Sequence, residues 1–352
     1  MYNSIRPGKL WLDTNGNRIQ AHGGSIMYID GVYYWYGENK EKTTGEANIW
    51  HWGVRCYTSK DLYNWEDKGL IIPPELDNLE SSLHPSSQMD RPHIIYNKAT
   101  GKYVCWLKIM HTDGSQTVTV MVADHILGPY KMVREGLKPL NMNAGDFDLA
   151  VAEDGKAYYF FERVHSETIC ADLTENYTDV TGYYSTHFPH VGPPYVREAT
   201  AHFLRGGKHY LITSGTTGYL PNPSEVAAAD TWHGSYTVLG NPHPADKSHT
   251  SFHSQISSVF KVPGKKNLYI ACGDRWLPEM MGLKYDQYKI MFEKIFGSGN
   301  SETAHMEVDT SKFGNDLTRN TAIADYVWLP LRFENNMVYI DWKDEWRIED
   351  YE

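Results

Sequence analysis

The feature that most limits the fold of this chain is a hairpin written five times. An apolar strand, a turn carrying Gly or Asp-Gly, and an aromatic-rich strand recur as SIMYIDGVYYWY (25–36), HIIYNKATGKYVCW (93–106), DLAVAEDGKAYY (148–159), AHFLRGGKHYLI (201–212) and SSVFKVPGKKNLYI (257–270). Tyr34, Tyr103, Tyr159, Tyr210 and Tyr269 mark equivalent positions, and successive markers lie 69, 56, 51 and 59 residues apart. That interval holds four antiparallel strands and their loops, and self-similarity on this scale dictates architecture. A second echo follows most copies, in YTSKDLYNW (57–65), VADHILGPY (122–130), CADL (170–173) and AADTWHGSY (228–236), where a strand ends in a short polar turn before the next strand begins. Four strands per repeat and five repeats predict an all-β chain folded as a five-bladed β-propeller.

One segment breaks the pattern. Residues 279–325 separate GDRWLP (273–278) from YVWLPL (326–331), and Met281, Leu283, Tyr288, Met291, Phe292 and Ile295 are loosely spaced as on an amphipathic helix. Residues 297–320 read as polar loop. The expectation is a single domain over 1–352 with a partly helical insertion in the fifth blade, acting as a lid or an oligomer contact. A homo-oligomer is compatible with that reading.

Composition narrows the partners. Tyr 25, Trp 11 and Phe 11 make 13% of the chain aromatic, which suits strands and flat apolar faces that meet sugar rings or bases. A formal net charge of -11 repels phosphate backbones and anionic lipid, so neither nucleic acid nor membrane is expected. Cys56, Cys105, Cys170 and Cys272 are far apart, form no metal-binding pair and read as buried strand residues. No run reaches the roughly 18 apolar residues of a membrane span, and the N-terminus MYNSIRPGK lacks a secretory apolar segment. The chain as given reads as cytoplasmic, or as secreted or periplasmic if a leader has been removed.

In a propeller the inner strands converge on one axis, which brings polar residues at their beginnings together from distant positions. Those residues are His22, Asp90 in MDRP (89–92), Asp146 in GDFD (145–148), Glu198 in REAT (197–200) and Gln255 in FHSQ (252–255). Clustered acids raise one another's pKa, and glycosidase chemistry uses such a cluster: one carboxyl stays protonated for the leaving oxygen while another polar group handles water. The competing reading is an ion network in which Arg91, Arg197 and Arg275 staple the blades together.

At these residues the sequence resembles glycoside hydrolase family 43, in its exo-β-1,3-galactanase branch. The matching stretches are GKLWLDTNGN (8–17), AHGG (21–24), YYWYGE (33–38), SKDL (59–62), RP (91–92), REA (197–199), LITSG (211–215), GNP (240–242), SQ (254–255), GDRW (273–276) and YVWLP (326–330), nearly the whole chain apart from 279–325. The resemblance implies an inverting hydrolase that releases terminal galactose from β-1,3-linked galactan or arabinogalactan oligosaccharides. Glu198 would be the general acid, Asp146 the neighbour that keeps its pKa up and orients the sugar, and Gln255 the residue that positions water. Glu38 and Asp90 would bind sugar hydroxyls, with Tyr219 and Trp276 as stacking platforms and Thr217 beside them. No cofactor is required, and the resemblance allows a structural axial cation such as calcium.

The departures surround the pocket. Blade one reads Ala21-His22-Gly23-Gly24, with no carboxylate where the wider family has Asp, which leaves His22 and Glu38 as candidates for proton acceptor because an amide such as Gln255 is scarcely basic. Thr200 stands where Pro is usual, Tyr219 where Trp is usual, and Gly145-Asp-Phe-Asp148 where Arg-Asp-Met-Thr is common. Two alternatives therefore stay open: a related exo-glycosidase acting on arabinofuranosides or galactofuranosides, and a carbohydrate-binding propeller without activity.

Overall fold

The computed structural model describes residues 1–300, 303, 305–307, 310 and 313–352. Five four-stranded antiparallel meanders surround one axis, each in the strand order of the sequence. Blade one is β1 (His22–Ile29), β2 (Val32–Glu38), β3 (Val54–Ser59) and β4 (Glu66–Ile72), and blade two is β5 (Gln88–Asn97), β6 (Lys102–Met110), β7 (Gln116–Ala123) and β8 (Lys131–Leu137). Blade three follows with β9 (Ala144–Val151), β10 (Ala157–Arg163), β11 (Glu167–Leu173) and β12 (Val180–His187). Blade four contains β13 (Glu198–Arg205), β14 (Lys208–Ser214), β15 (Glu225–Ala229) and β16 (Thr237–Gly240), and blade five β17 (Gln255–Lys261), β18 (Tyr269–Arg275), β19 (Asp325–Glu334) and β20 (Met337–Ile340). The five recurrent hairpins are thus the two innermost strands of each blade.

The hairpins form for local reasons. Asp30 and Gly31 both have positive φ, 49° and 85°, the backbone of a two-residue turn whose twist matches that of its strands. The innermost strands touch their neighbours in turn, and β1 meets β17 to close the ring. That closing seam is aromatic: Trp35 lies 4.4 Å from Trp328 and 5.6 Å from Trp11, ring centre to ring centre. The two chain ends lock it, since Ile5 bridges to Trp346 and the Trp346 indole donates to the Trp328 carbonyl at 2.9 Å. The four cysteines are free and buried in β3, β6, β11 and β18.

The insertion leaves blade five after β18 and returns at β19. Its described residues include the helix α1 (Lys289–Phe296) and 3-10 turns at Pro278–Met280, Tyr285–Gln287 and Asp316–Thr318. The helix is shorter than the apolar spacing suggested because Pro278 and Gly282 interrupt the first part of the segment, and Gly297 ends it in the left-handed conformation at φ 64°. Tyr285, Tyr288, Met291 and Phe313 pack with Leu220 and Trp276 into a small core of their own. Within the expected loop 297–320, residues 301, 302, 304, 308, 309, 311 and 312 lie outside the described residues. Among the described residues no helix is long and apolar enough to cross a membrane.

Candidate active site

The same backbone device places three of the polar residues. Gly23, Arg91 and Ala199, directly after His22, Asp90 and Glu198, have φ of 62°, 56° and 49°, and the register of the inner hairpin shifts at each of these points. A bulge re-aims a side chain, and non-glycine residues held at positive φ are retained where surrounding structure dictates them. In blades two and four the re-aimed side chain enters a shared cavity of about 310 Å³, which is also lined by Glu38, Asp146, Gln255, Trp50, Tyr219 and Trp276. Gly23 is needed beside it, because a Cβ there would stand 2.4 Å from the Glu38 carboxylate.

Positive charge is distributed unevenly among the acids. The Arg91 guanidinium spans the centre, donating from Nε to Asp146 at 2.9 Å and from Nη2 to the Gln255 carbonyl at 2.8 Å, while its backbone N–H donates to Glu38 at 2.9 Å. Lys108 donates to Asp146 at 2.6 Å and lies 3.4 Å from Asp90. Lys40 lies 2.9 Å from Glu38 and 3.7 Å from Asp90. Burial alone would raise the Asp146 pKa, but Arg91 and Lys108 outweigh it and bring it down to about 2.

Glu198 has the opposite environment. Among the described residues no cationic side chain pairs with it; Arg197 instead turns away to Thr213 and to the Pro223 carbonyl. Burial, then the charges of Asp146 and Glu162, push the Glu198 carboxyl well above its ordinary pKa. Two carboxyl groups in one cavity are therefore pushed in opposite directions, Asp146 toward its ionised form and Glu198 toward its protonated form. Arg275 is likewise spent on the carbonyls of Phe252, His253 and Gly8, so the guanidinium-stapled network holds only for Asp146.

Gln255 is engaged at both ends of its amide. Its carbonyl accepts from Arg91 and, at 3.4 Å, from the Trp276 indole; its NH₂ donates to Ser214 at 3.0 Å and to Glu198 at 3.4 Å. The donor edge faces the acid and the carbonyl faces a guanidinium, which leaves that oxygen no basicity to offer water. Glu38, 1% exposed, is raised to about 7 by burial, against the opposing charge of Lys40 and with help from Asp90. Asp90 accepts from the Trp50 indole at 2.7 Å. Trp50 stacks on Tyr219 at 5.6 Å, and Tyr219 meets Trp276 at 5.0 Å, so three aromatic rings form one wall.

Two expected site residues stand elsewhere. His22 is fully enclosed: its Nδ1 lies 3.0 Å from Asp274, and its ring stacks on Tyr326 at 4.7 Å, so it has no face toward the cavity. Thr217 is 1% exposed, donates to the Leu220 carbonyl and accepts from Asn222 at 2.7 Å, which ties down the loop that carries Tyr219; its neighbour Thr216 lines the cavity instead. Sequence reading missed Lys40, Lys108, Glu162, Asp316, Phe292 and Phe296, all at or beside the cavity. Lys108 had a signal, a lone cation inside the apolar strand YVCWLKIM, and Glu162 a weaker one, an acid ending the apolar run AYYFF. The axis does not fit calcium, which takes 6–8 oxygen ligands: among the described residues no group of three or more His, Cys, Asp or Glu is placed to hold a metal, and the Arg91 guanidinium already supplies the central positive charge.

A sequence model of glycosyl hydrolases family 43 matches residues 18–276, from the start of the first blade to the edge of the insertion. The chain belongs to that family. Solved structures extend the likeness over the insertion. A family 43 β-1,3-galactosidase is 29% identical with a TM-score of 0.79, over 99% of this chain and 65% of the other, so the chain spans about two thirds of that relative. A second, described with galactodeoxynojirimycin, is 27% identical with a TM-score of 0.76, over 98% of this chain and 100% of the other. An exo-β-1,3-galactanase from Clostridium thermocellum is 25% identical with a TM-score of 0.75, over 97% and 66%. No curated protein matches. This family 43 chain is therefore a glycoside hydrolase on a five-bladed propeller, and its cavity pushes the pKa of Asp146 down and that of Glu198 up, the divergence such chemistry uses.

Proposed function

We propose that this glycoside hydrolase removes the terminal galactose from β-1,3-linked galactan or arabinogalactan oligosaccharides with inversion at the anomeric carbon. The observation that carries the reading is the placement of Glu198 at an aromatic-walled cavity shared with Asp146 and Gln255, where burial and the Asp146 charge raise its pKa. The β-1,3-galactosidases and the galactanase among its structural neighbours supply the sugar and the linkage.

In the reaction the Glu198 O–H gives its proton to the glycosidic oxygen as the bond to the anomeric carbon breaks, and the leaving sugar departs as a neutral alcohol. Asp146, ionised throughout, faces the positive charge that develops on the ring. Water attacks the opposite face and passes its proton to Glu38. Blade one does not adjoin blade four, so Glu38 stands across the funnel from the acid, and a pKa of about 7 suits a base working near neutral pH. Gln255 and Arg91 hold Glu198 and Asp146 in register. Exo action is supported by the insertion, which contributes Phe292, Phe296 and Asp316 to the cavity wall and leaves a pocket for a chain end.

The test is proton NMR of β-1,3-galactotriose during its first turnovers. The expected result is α-galactose and the disaccharide, with arabinofuranosides and galactofuranosides cleaved far more slowly. Initial β-galactose, internal cleavage or a furanoside preference would each refute the corresponding part of the proposal, and binding without product would refute all of it.

A further inference from the structure

The insertion reaches well beyond its own blade. Tyr288 donates to the Pro221 carbonyl, Ser298 to that of Pro193, and the Tyr195 hydroxyl to Glu293, so α1 is pinned across the entrance of blade four. Its last turn touches blade three, where the Phe296 ring meets His165 edge to face at 4.9 Å. One turn earlier stands Phe292, its ring parallel to that of Phe296 within 1° at 6.5 Å. Met291 and Glu293 are the residues of the helix that are buried, whereas Phe296 remains 40% exposed and both phenylalanines line the catalytic cavity.

Their side of the cavity is defined by contacts. The His165 backbone N–H donates to Glu162 at 2.7 Å, and Glu162 is the carboxylate whose charge joins that of Asp146 in raising Glu198. The phenylalanine pair therefore lies on the acid's side, and Glu38, Asp90 and Trp50 face it from blades one and two. A sugar held by Asp90 and Trp50, with the attacking water at Glu38 and its glycosidic oxygen at Glu198, directs the next sugar toward the two rings. We infer that Phe292 and Phe296 form the platform on which the leaving-group sugar stacks, which makes this insertion the element that selects a glycan over a small aglycone. Galactose presents an apolar C–H face suited to aromatic rings. The inference rests on Glu198 being the acid.

The experiment compares two probes on the parent and on a Phe292→Ala, Phe296→Ala double variant. β-1,3-galactobiose places a sugar on the platform; β-galactosyl fluoride, whose leaving group is one atom, does not. The expected outcome is a roughly tenfold loss of kcat/KM on galactobiose, the size of one good aromatic contact, with galactosyl fluoride changed less than about twofold. Tyrosine at both positions should restore galactobiose cleavage, and thermal melting checks that truncating these partly exposed rings leaves the fold intact. Equal losses on both probes, or none on either, overturn the inference while the galactosidase reading stands. A parent that cleaves neither probe overturns that reading and this inference with it.

Discussion

Replacing Glu198 by Gln tests the core of the chemistry, because the change keeps size and shape and removes the acidic O–H that can be transferred. The amide carbonyl can still accept from Gln255, which approaches the present carboxyl at 3.4 Å. A positioned general acid contributes 10²–10⁴-fold, or about 3–5 kcal/mol of transition-state stabilisation, so kcat on galactobiose should fall by that factor. Fluoride leaves without protonation, so turnover of β-galactosyl fluoride should fall less than about tenfold. Stability should move the other way. The Glu198 pKa is raised on folding from its ordinary 4.5, so the folded state retains a proton that the unfolded chain releases as pH rises above 4.5. Each pH unit between the two titrations costs the parent about 1.4 kcal/mol, a penalty Glu198→Gln lacks. Kinetics on both probes and denaturant unfolding at pH 4.5 and 7 would show a variant slower on the glycan yet more stable at neutral pH. Equal losses on both probes, or lower stability at pH 7, would refute the account of Glu198 as a strained, protonated donor.

Asp146→Asn removes the like charge beside Glu198 and strands Lys108 and Arg91; the basic limb of the pH–rate profile should move to lower pH, and stability should fall by about 3–5 kcal/mol, read by thermal melting. Gln255→Ala cuts the link between Arg91 and the acid, so kcat should drop roughly 10- to 100-fold with KM nearly unchanged in steady-state kinetics. Glu38→Gln should abolish the acidic limb, expected near pH 7 in the parent, and lower kcat by about 10²-fold or more, measured across pH 5–9. Asp148, buried and raised to about 7 from 3.8, should make the parent lose on the order of 4 kcal/mol of unfolding free energy as pH rises from about 4 to 7. Asp148→Asn should flatten that slope in urea titrations.

How much of this site could be read from sequence follows from how each part is built. Blade number and strand order were legible because the hairpin repeats, and repetition converts five local patterns into one global geometry. The convergence of Asp90, Asp146, Glu198 and Gln255 was legible for the same reason: each lies within the first three residues of an innermost strand. Equivalence failed at His22, where Asp274 and Tyr326 close over the ring; one intervening partner is enough to withdraw a side chain from an axis, and pairing across blades leaves no trace in local pattern. The same blindness hid Lys108 as a partner of Asp146 and left open which acid Arg91 would meet, since an ion pair is a property of two strands and not of either. Phe292 read as part of the apolar face of a helix and Phe296 was not singled out; only their placement over the funnel separates a platform from a core. The most informative residue in retrospect is Ala199. Its φ of 49° is costly for a residue with a side chain, and Gly23 and Arg91 show the same turn after the corresponding positions of blades one and two. A propeller that bends its inner strand directly behind Asp90 and Glu198 directs backbone strain to the places where side chains must leave the sheet and enter the cavity.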